Sequence, residues 1–242
     1  SLVVPDTGII HDRVPVEVFR GCTRGCRFCQ AGMVYRPLRE RSPEKVVEIA
    51  RELLGKTGWE EVGLVSLSSC DYTGLVPVLE ALSTSLRERG VKLSLPSLRM
   101  DALSVELAAR LETVKRGGLT FAPEAGSQRL RNVINKGIGE DDIRTTIESL
   151  SEHGWDRVKL YFMVGLPTET EADLAGITDI TREAFAILRR RHRRAEVSVS
   201  VNGFIPKPHT PFQWEPQLPL EETEARCKWL KRQLGNPKIA LN

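Results

Sequence analysis

Six times along this chain a short run of β-forming residues is followed by residues with the apolar spacing of an amphipathic helix. No other feature constrains the fold as strongly. The strand candidates cover residues 14–20, 62–67, 91–95, 118–121, 157–164 and 196–201. Ser42-Pro43 supplies an N-cap and a proline at the first helical position, and Val46, Val47, Ala50, Leu53 and Leu54 then share one face. Ile143, Ile147 and Leu150 repeat that spacing before a stop at Gly154. Leu174, Ile177, Ala184 and Ile187 form a further stripe, and residues 220–234 a last one. Strand–helix units in series build a parallel sheet. Six units fall short of the eight that close a full barrel, so the pattern predicts an α/β fold: a partial (βα)6 TIM-like barrel with a lateral mouth. The last strand, Val197-Ser198-Val199-Ser200-Val201, places apolar residues toward outer helices and small hydroxyls toward a lumen with room for a ligand. In such folds chemistry gathers at the carboxyl ends of the strands.

With 242 residues the chain is long enough for one large domain. Residues 1–13 read as a lead-in, 14–201 as the barrel core, and 202–242 as a Pro-rich edge segment and last helix. It does not begin with methionine, which suggests a piece of a longer protein. A net charge of +3 makes no electrostatic case for nucleic acid, though it does not exclude it. No apolar run reaches the roughly 18 residues that span a bilayer, and the first residues lack the pattern of a secretory signal. Three of the five cysteines crowd into residues 22–29, a spacing that suits a metal centre in a reducing compartment, so a cytoplasmic location is expected.

That crowded segment is Arg20-Gly21-Cys22-Thr23-Arg24-Gly25-Cys26-Arg27-Phe28-Cys29, directly after the first strand. Its glycines permit sharp turns, and cysteine thiolates are the usual ligands of iron–sulfur clusters. Three ligands on a four-iron cluster leave one iron open, as a catalytic zinc keeps a position for substrate. Arg20, Arg24 and Arg27 are expected to lower the thiol pKa values and offset cluster charge. The alternative is a zinc knuckle with His11 or His209 as fourth ligand, and the whole chain would then be a non-catalytic zinc-stabilised binding module. Cys70 and Cys227 stand alone, the first at a strand end and the second on a core-facing helix. The basic run at residues 189–194 sits at a predicted helix C-terminus, where cations complement the helix dipole.

The C-x3-C-x-aromatic-C loop after strand one resembles that of radical S-adenosylmethionine (SAM) enzymes, over essentially the whole chain. The resemblance implies a [4Fe-4S] cluster on Cys22, Cys26 and Cys29, with SAM on the open iron and reductive cleavage to a 5′-deoxyadenosyl radical. Phe28 matches the aromatic whose backbone meets adenine. Where many family members carry Gly-Gly-Glu, this sequence has Leu67-Ser68-Ser69-Cys70-Asp71, so Ser68, Ser69 and Asp71 are the candidate acceptors for the SAM amino group. Glu124-Ala125-Gly126-Ser127-Gln128-Arg129 is similar to the E-x-G-S-x-R segment of cobalamin-dependent and methylthiotransferase-like branches. It makes Glu124, Ser127 and Arg129 candidates for holding ribose and methionine. Val164-Gly165 resembles the motif that packs on adenine.

Asn202 to Trp214 is similar to the equivalent stretch in radical SAM proteins with an N-terminal cobalamin-binding domain. The resemblance therefore implies cobalamin-associated methyl transfer or a related radical modification, with cobalamin held by a domain outside this chain. A methylthiotransferase is the alternative, and it needs a second cluster, for which only Cys70 and Cys227 remain here. A reductant such as flavodoxin or ferredoxin is the implied partner.

Overall fold

In a computed structural model describing residues 7, 12–94, 100 and 119–241, the expected units form two parallel ladders. The first orders β1 (Val14–Glu17), β4 (Glu61–Val65) and β5 (Lys92–Ser94) side by side. The second orders β6 (Leu119–Glu124), β7 (Arg157–Val164), β8 (Glu196–Gly203) and β9 (Ile239–Leu241). A small antiparallel ribbon of β2 (Phe19–Arg20) and β3 (Arg39–Glu40) brackets the cysteine loop. Parallel ladders covered by outer helices are the arrangement expected of a partial TIM-like barrel. The parallel ladders gain one strand beyond the six expected: β9 pairs with β8 through Val197–Ile239 and Val199–Leu241. Parts of two candidates, Leu95 and Gly118, lie outside the described residues.

The helices are α1 (Gln30–Val34), α2 (Pro43–Thr57), α3 (Leu75–Glu88), α4 (Gln128–Val133), α5 (Glu140–Glu152), α6 (Glu171–Arg191) and α7 (Leu220–Gln233). Helix α2 starts where its signals place it: Ser42 accepts from the Lys45 amide, Pro43 is the first helical residue, and Gly58 ends it in left-handed conformation. Its residues Val46, Val47, Ala50 and Leu54 pack with Val14, Val16, Val62 and Leu64. In the second half, Val158, Leu160, Phe162 and Val164 of β7 are buried against Ile143, Ile147 and Leu150 of α5 and Leu174, Ile177 and Ile187 of α6. Alternation along β7 then turns Lys159, Tyr161 and Met163 to the opposite face. The helices cover the outside, and the half-buried face looks inward. No described helix is long and apolar enough to cross a membrane.

Candidate cofactor site

The cysteine loop is held by its backbone. Gly21 has φ +96°, and a Cβ there would stand 2.8 Å from the carbonyl oxygens of Tyr35 and Pro37, so only glycine fits the turn out of β2. Cys29 caps α1, its sulfur accepting from the Gly32 amide at 3.4 Å, and its own amide donates to the Cys26 carbonyl. Most of the other ties reach into the second half of the chain. The Arg27 amide donates to Ile134 O at 2.9 Å, the Arg27 guanidinium to Val133 O, and Asn135 Nδ2 to Gly25 O at 3.0 Å. The Phe212 amide donates to Arg27 O, and Gln30 reaches Pro208 O.

All five cysteines are free of disulfides, and Cys22, Cys26 and Cys29 border one cavity of about 300 Å³ at the carboxyl ends of the strands. Phe28 and Ser68 line it, together with Leu67, Met100, Thr120, Ala122, Glu124, Lys136 and Ile138. Ser68 is 6% exposed and its hydroxyl has no hydrogen-bond partner, a buried polar atom aimed at ligand space. Across the cavity Lys136 donates to Glu124 at 3.0 Å, both side chains mostly buried. Glu124 sits at φ +70° beside a register shift in the β6–β7 ladder between Phe121 and Glu124. A left-handed non-glycine costs of order 1 kcal/mol, and the bulge that imposes it turns the carboxylate into the cavity. The donor set fits the cluster the sequence implies: three thiols free of disulfides on one side, and hydroxyl, carboxylate and ammonium on the others.

Several expected roles are redistributed. Ser69 is fully buried and bonds Ser66 and Leu64 O, so it builds the turn after β4. Asp71 is engaged by the Arg24 guanidinium through both carboxylate oxygens. Ser127 caps α4 through the Leu130 amide and donates to Asp173, to which Arg129 also donates. Each of these groups holds a protein partner and lies outside the cavity lining. Burial alone would raise the Asp173 pKa, but hydrogen bonds from Arg129, Ser127 and Thr170 outweigh it and hold this carboxyl well below the usual range. Gly126 lets α6 approach, since a Cβ on it would overlap the Asp173 carbonyl oxygen and the Ile177 amide. Val164 is buried among the outer-helix contacts, and both carboxylate oxygens of Glu169 accept from the Gly165 amide.

The arginines of the loop are likewise taken up: Arg20 pairs with Glu17, Arg24 with Asp71, and Arg27 with a carbonyl. Burial pushes the Cys26 thiol pKa up, and Lys136 is the cation that opposes it. Sequence reasoning missed Lys136 because it lies in a loop twelve residues after its partner, without motif or period. Of the zinc candidates, His11 lies outside the described residues, while His209 is exposed and donates its amide to Gln213. Among the described residues, no three Cys, His, Asp or Glu side chains gather as a single metal ion needs.

The family model of the radical SAM superfamily matches residues 16–180. The uncharacterized protein MJ0966 of Methanocaldococcus jannaschii is 40% identical over 200 residues, covering 83% of this chain and 42% of that protein. The ribosomal protein uS12 methylthiotransferase RimO of Desulfotalea psychrophila is 25% identical over 225 residues, covering 89% and 48%. The chain thus spans less than half the length of these curated relatives. Among solved structures, the radical SAM methyltransferase TsrM of Kitasatospora setae, with cobalamin and a [4Fe-4S] cluster bound, aligns with a TM-score of 0.64 at 16% identity. That alignment covers 83% of this chain and 38% of TsrM.

Proposed function

Since this chain belongs to the radical SAM superfamily, whose cofactors are a [4Fe-4S] cluster and SAM, we propose that Cys22, Cys26 and Cys29 carry that cluster and that their cavity is where SAM is cleaved. The observation that supports this most is the convergence of three free thiols, the unpartnered Ser68 hydroxyl and the Glu124–Lys136 pair on one cavity. When bound, the cluster supplies the electron that splits SAM to a 5′-deoxyadenosyl radical. Around it the chain's own groups bind and orient. Ser68 offers a buried acceptor or donor in place of Gly-Gly-Glu, and Glu124 offers a carboxylate to ribose hydroxyls or an ammonium. Phe28, Leu67 and Met100 give the same space an apolar wall. Family membership sets aside the zinc-stabilised binding module.

The test is direct. Reconstituted anaerobically and given dithionite and SAM, the protein should produce 5′-deoxyadenosine. Chromatography that finds none above a cluster-free control would sink the proposal of autonomous cleavage. A flavodoxin or ferredoxin is the physiological reductant under this reading.

For the outcome of the radical chemistry, the reading is group transfer. Methyl transfer beside cobalamin is supported by the fold likeness to TsrM. Methylthio transfer is supported by relatives named for it, RimO among them. Full-length protein purifying with cobalamin's absorption favours the first, and full-length protein carrying iron for two clusters favours the second.

Glu124 permits a finer test. Glu124→Gln should leave the cluster's absorbance intact while weakening SAM binding. Loss of one charge-assisted hydrogen bond amounts to about 1.5–3 kcal/mol, or roughly one to two decades in affinity. SAM titrated against the cluster's EPR signal in both proteins makes the comparison, and equal affinities would confine Glu124 to its pair with Lys136.

A further inference from the structure

The inner face of the second ladder holds a cation, Lys159, that no carboxylate among the described residues meets. Lys159 is half-buried on β7, facing away from the helices that cover Val158 and Leu160. Other buried or part-buried cations are matched: Arg13 by Glu61, Lys136 by Glu124, Arg131 by Glu140. The register places Thr120 of β6 on one side of Lys159 and Ser198 of β8 on the other, at strand spacings of about 4.8 Å. Thr120 itself borders the cysteine cavity. The Lys159 ammonium lies 4.8 Å from the ring centroid of Tyr161, so it leans along the strand toward its carboxyl end. Tyr161 in turn stands opposite Ser200 in the ladder. An ammonium over an aromatic face, flanked by hydroxyls and one strand from the cofactor cavity, is the complement of a small anion.

We infer that this face seats an anionic group of the substrate, a carboxylate or a phosphate, with Lys159 as its cation and the hydroxyls of Thr120 and Tyr161 beside it. The inference rests on the proposed function, because it makes the cavity's neighbour the substrate's anchor. It names a substrate class: molecules whose reacting carbon lies a short distance from a negative charge. Lys159 is a specificity-determining residue here, and nothing routes through the cluster.

The experiment uses succinate and inorganic phosphate as separate probes against chloride at equal ionic strength. Acylation of each lysine by an activated acetate ester is followed by mass spectrometry on the reconstituted chain. One or both probes should slow labelling of Lys159 by about tenfold while leaving Lys45 and Lys228 unchanged. The probe that protects identifies the group. The same probe should raise the Tm of wild type and of Lys159→Arg but not of Lys159→Met. Lys159 labelled at the chloride rate under both probes overturns the inference, as does a Lys159→Met protein stabilised as much as wild type. Iron content and the SAM-induced EPR change, measured on the same samples, report separately on the cofactor assignment. A chain that fails those but shows protection has lost only that assignment.

Discussion

Changing any one of Cys22, Cys26 or Cys29 to Ala should abolish the brown chromophore and cut reconstituted iron to background, while Cys70→Ala and Cys227→Ala keep a full cluster. The three loop cysteines border one cavity. Cys227 instead packs partly buried against the second core, where burial pushes its thiol pKa up, the setting of an inert side chain. Cys70 is the central residue of the Ser69–Asp71 turn and lies outside the cavity lining. Each ligand variant should also lose 5′-deoxyadenosine formation altogether, because no other thiol is placed to substitute. Anaerobic reconstitution with iron and sulfide quantified per chain measures this. Full occupancy in Cys26→Ala, or loss in Cys227→Ala, would contradict the assignment.

The second large effect concerns a residue that touches no cofactor. Gly126→Ala should lower stability by about 3 kcal/mol, or roughly 6–12 °C in Tm for a chain of this size. The added methyl would run into backbone atoms of Asp173 and Ile177, and backbone within α6 cannot rotate away as a side chain can. Gly55 in α2 is the control: a Cβ there meets nothing within 4 Å, so Gly55→Ala should stabilise by about 0.5–1 kcal/mol. Thermal melts of the two variants should move in opposite directions. A Gly126→Ala protein melting within a degree or two of wild type would show that α6 can give way.

What could be read from the sequence follows from how local its causes are. Strand β7 runs from Arg157 to Val164 as expected, since eight alternating residues carry their own period. Helix α2 was legible at its start because its cap Ser42 and its proline Pro43 are adjacent signals. Helices α1 and α4, with five and six residues, are too short to show a 3.6-residue period, and their caps, Cys29 and Ser127, read first as ligands. Strand β9 has three residues and exists because β8 offers an edge to it. At the site, the loop cysteines, Phe28 and Glu124 were legible from motifs. The division of labour among Ser68, Ser69 and Asp71 was not, because only burial and partners distinguish them: an orphan hydroxyl, a turn former and half of an ion pair. Asp173, which gathers Ser127, Arg129 and Thr170, lies in an ordinary capping position and carries no sign of that role.

The ties of the cysteine loop have a bearing on how the protein is made. The loop is encoded near the start of the chain, yet its backbone is held by residues 133–135 and by Pro208 and Phe212. A ribosome that has delivered only the first ladder has therefore released three thiols with little to shape them. They stay exposed to oxidation and to stray metal until the Pro-rich segment after β8 emerges. Under the proposed assignment, the loop is a formed receptor for iron and sulfur only after residues 133–135 and the segment from Pro208 to Phe212 have been synthesised.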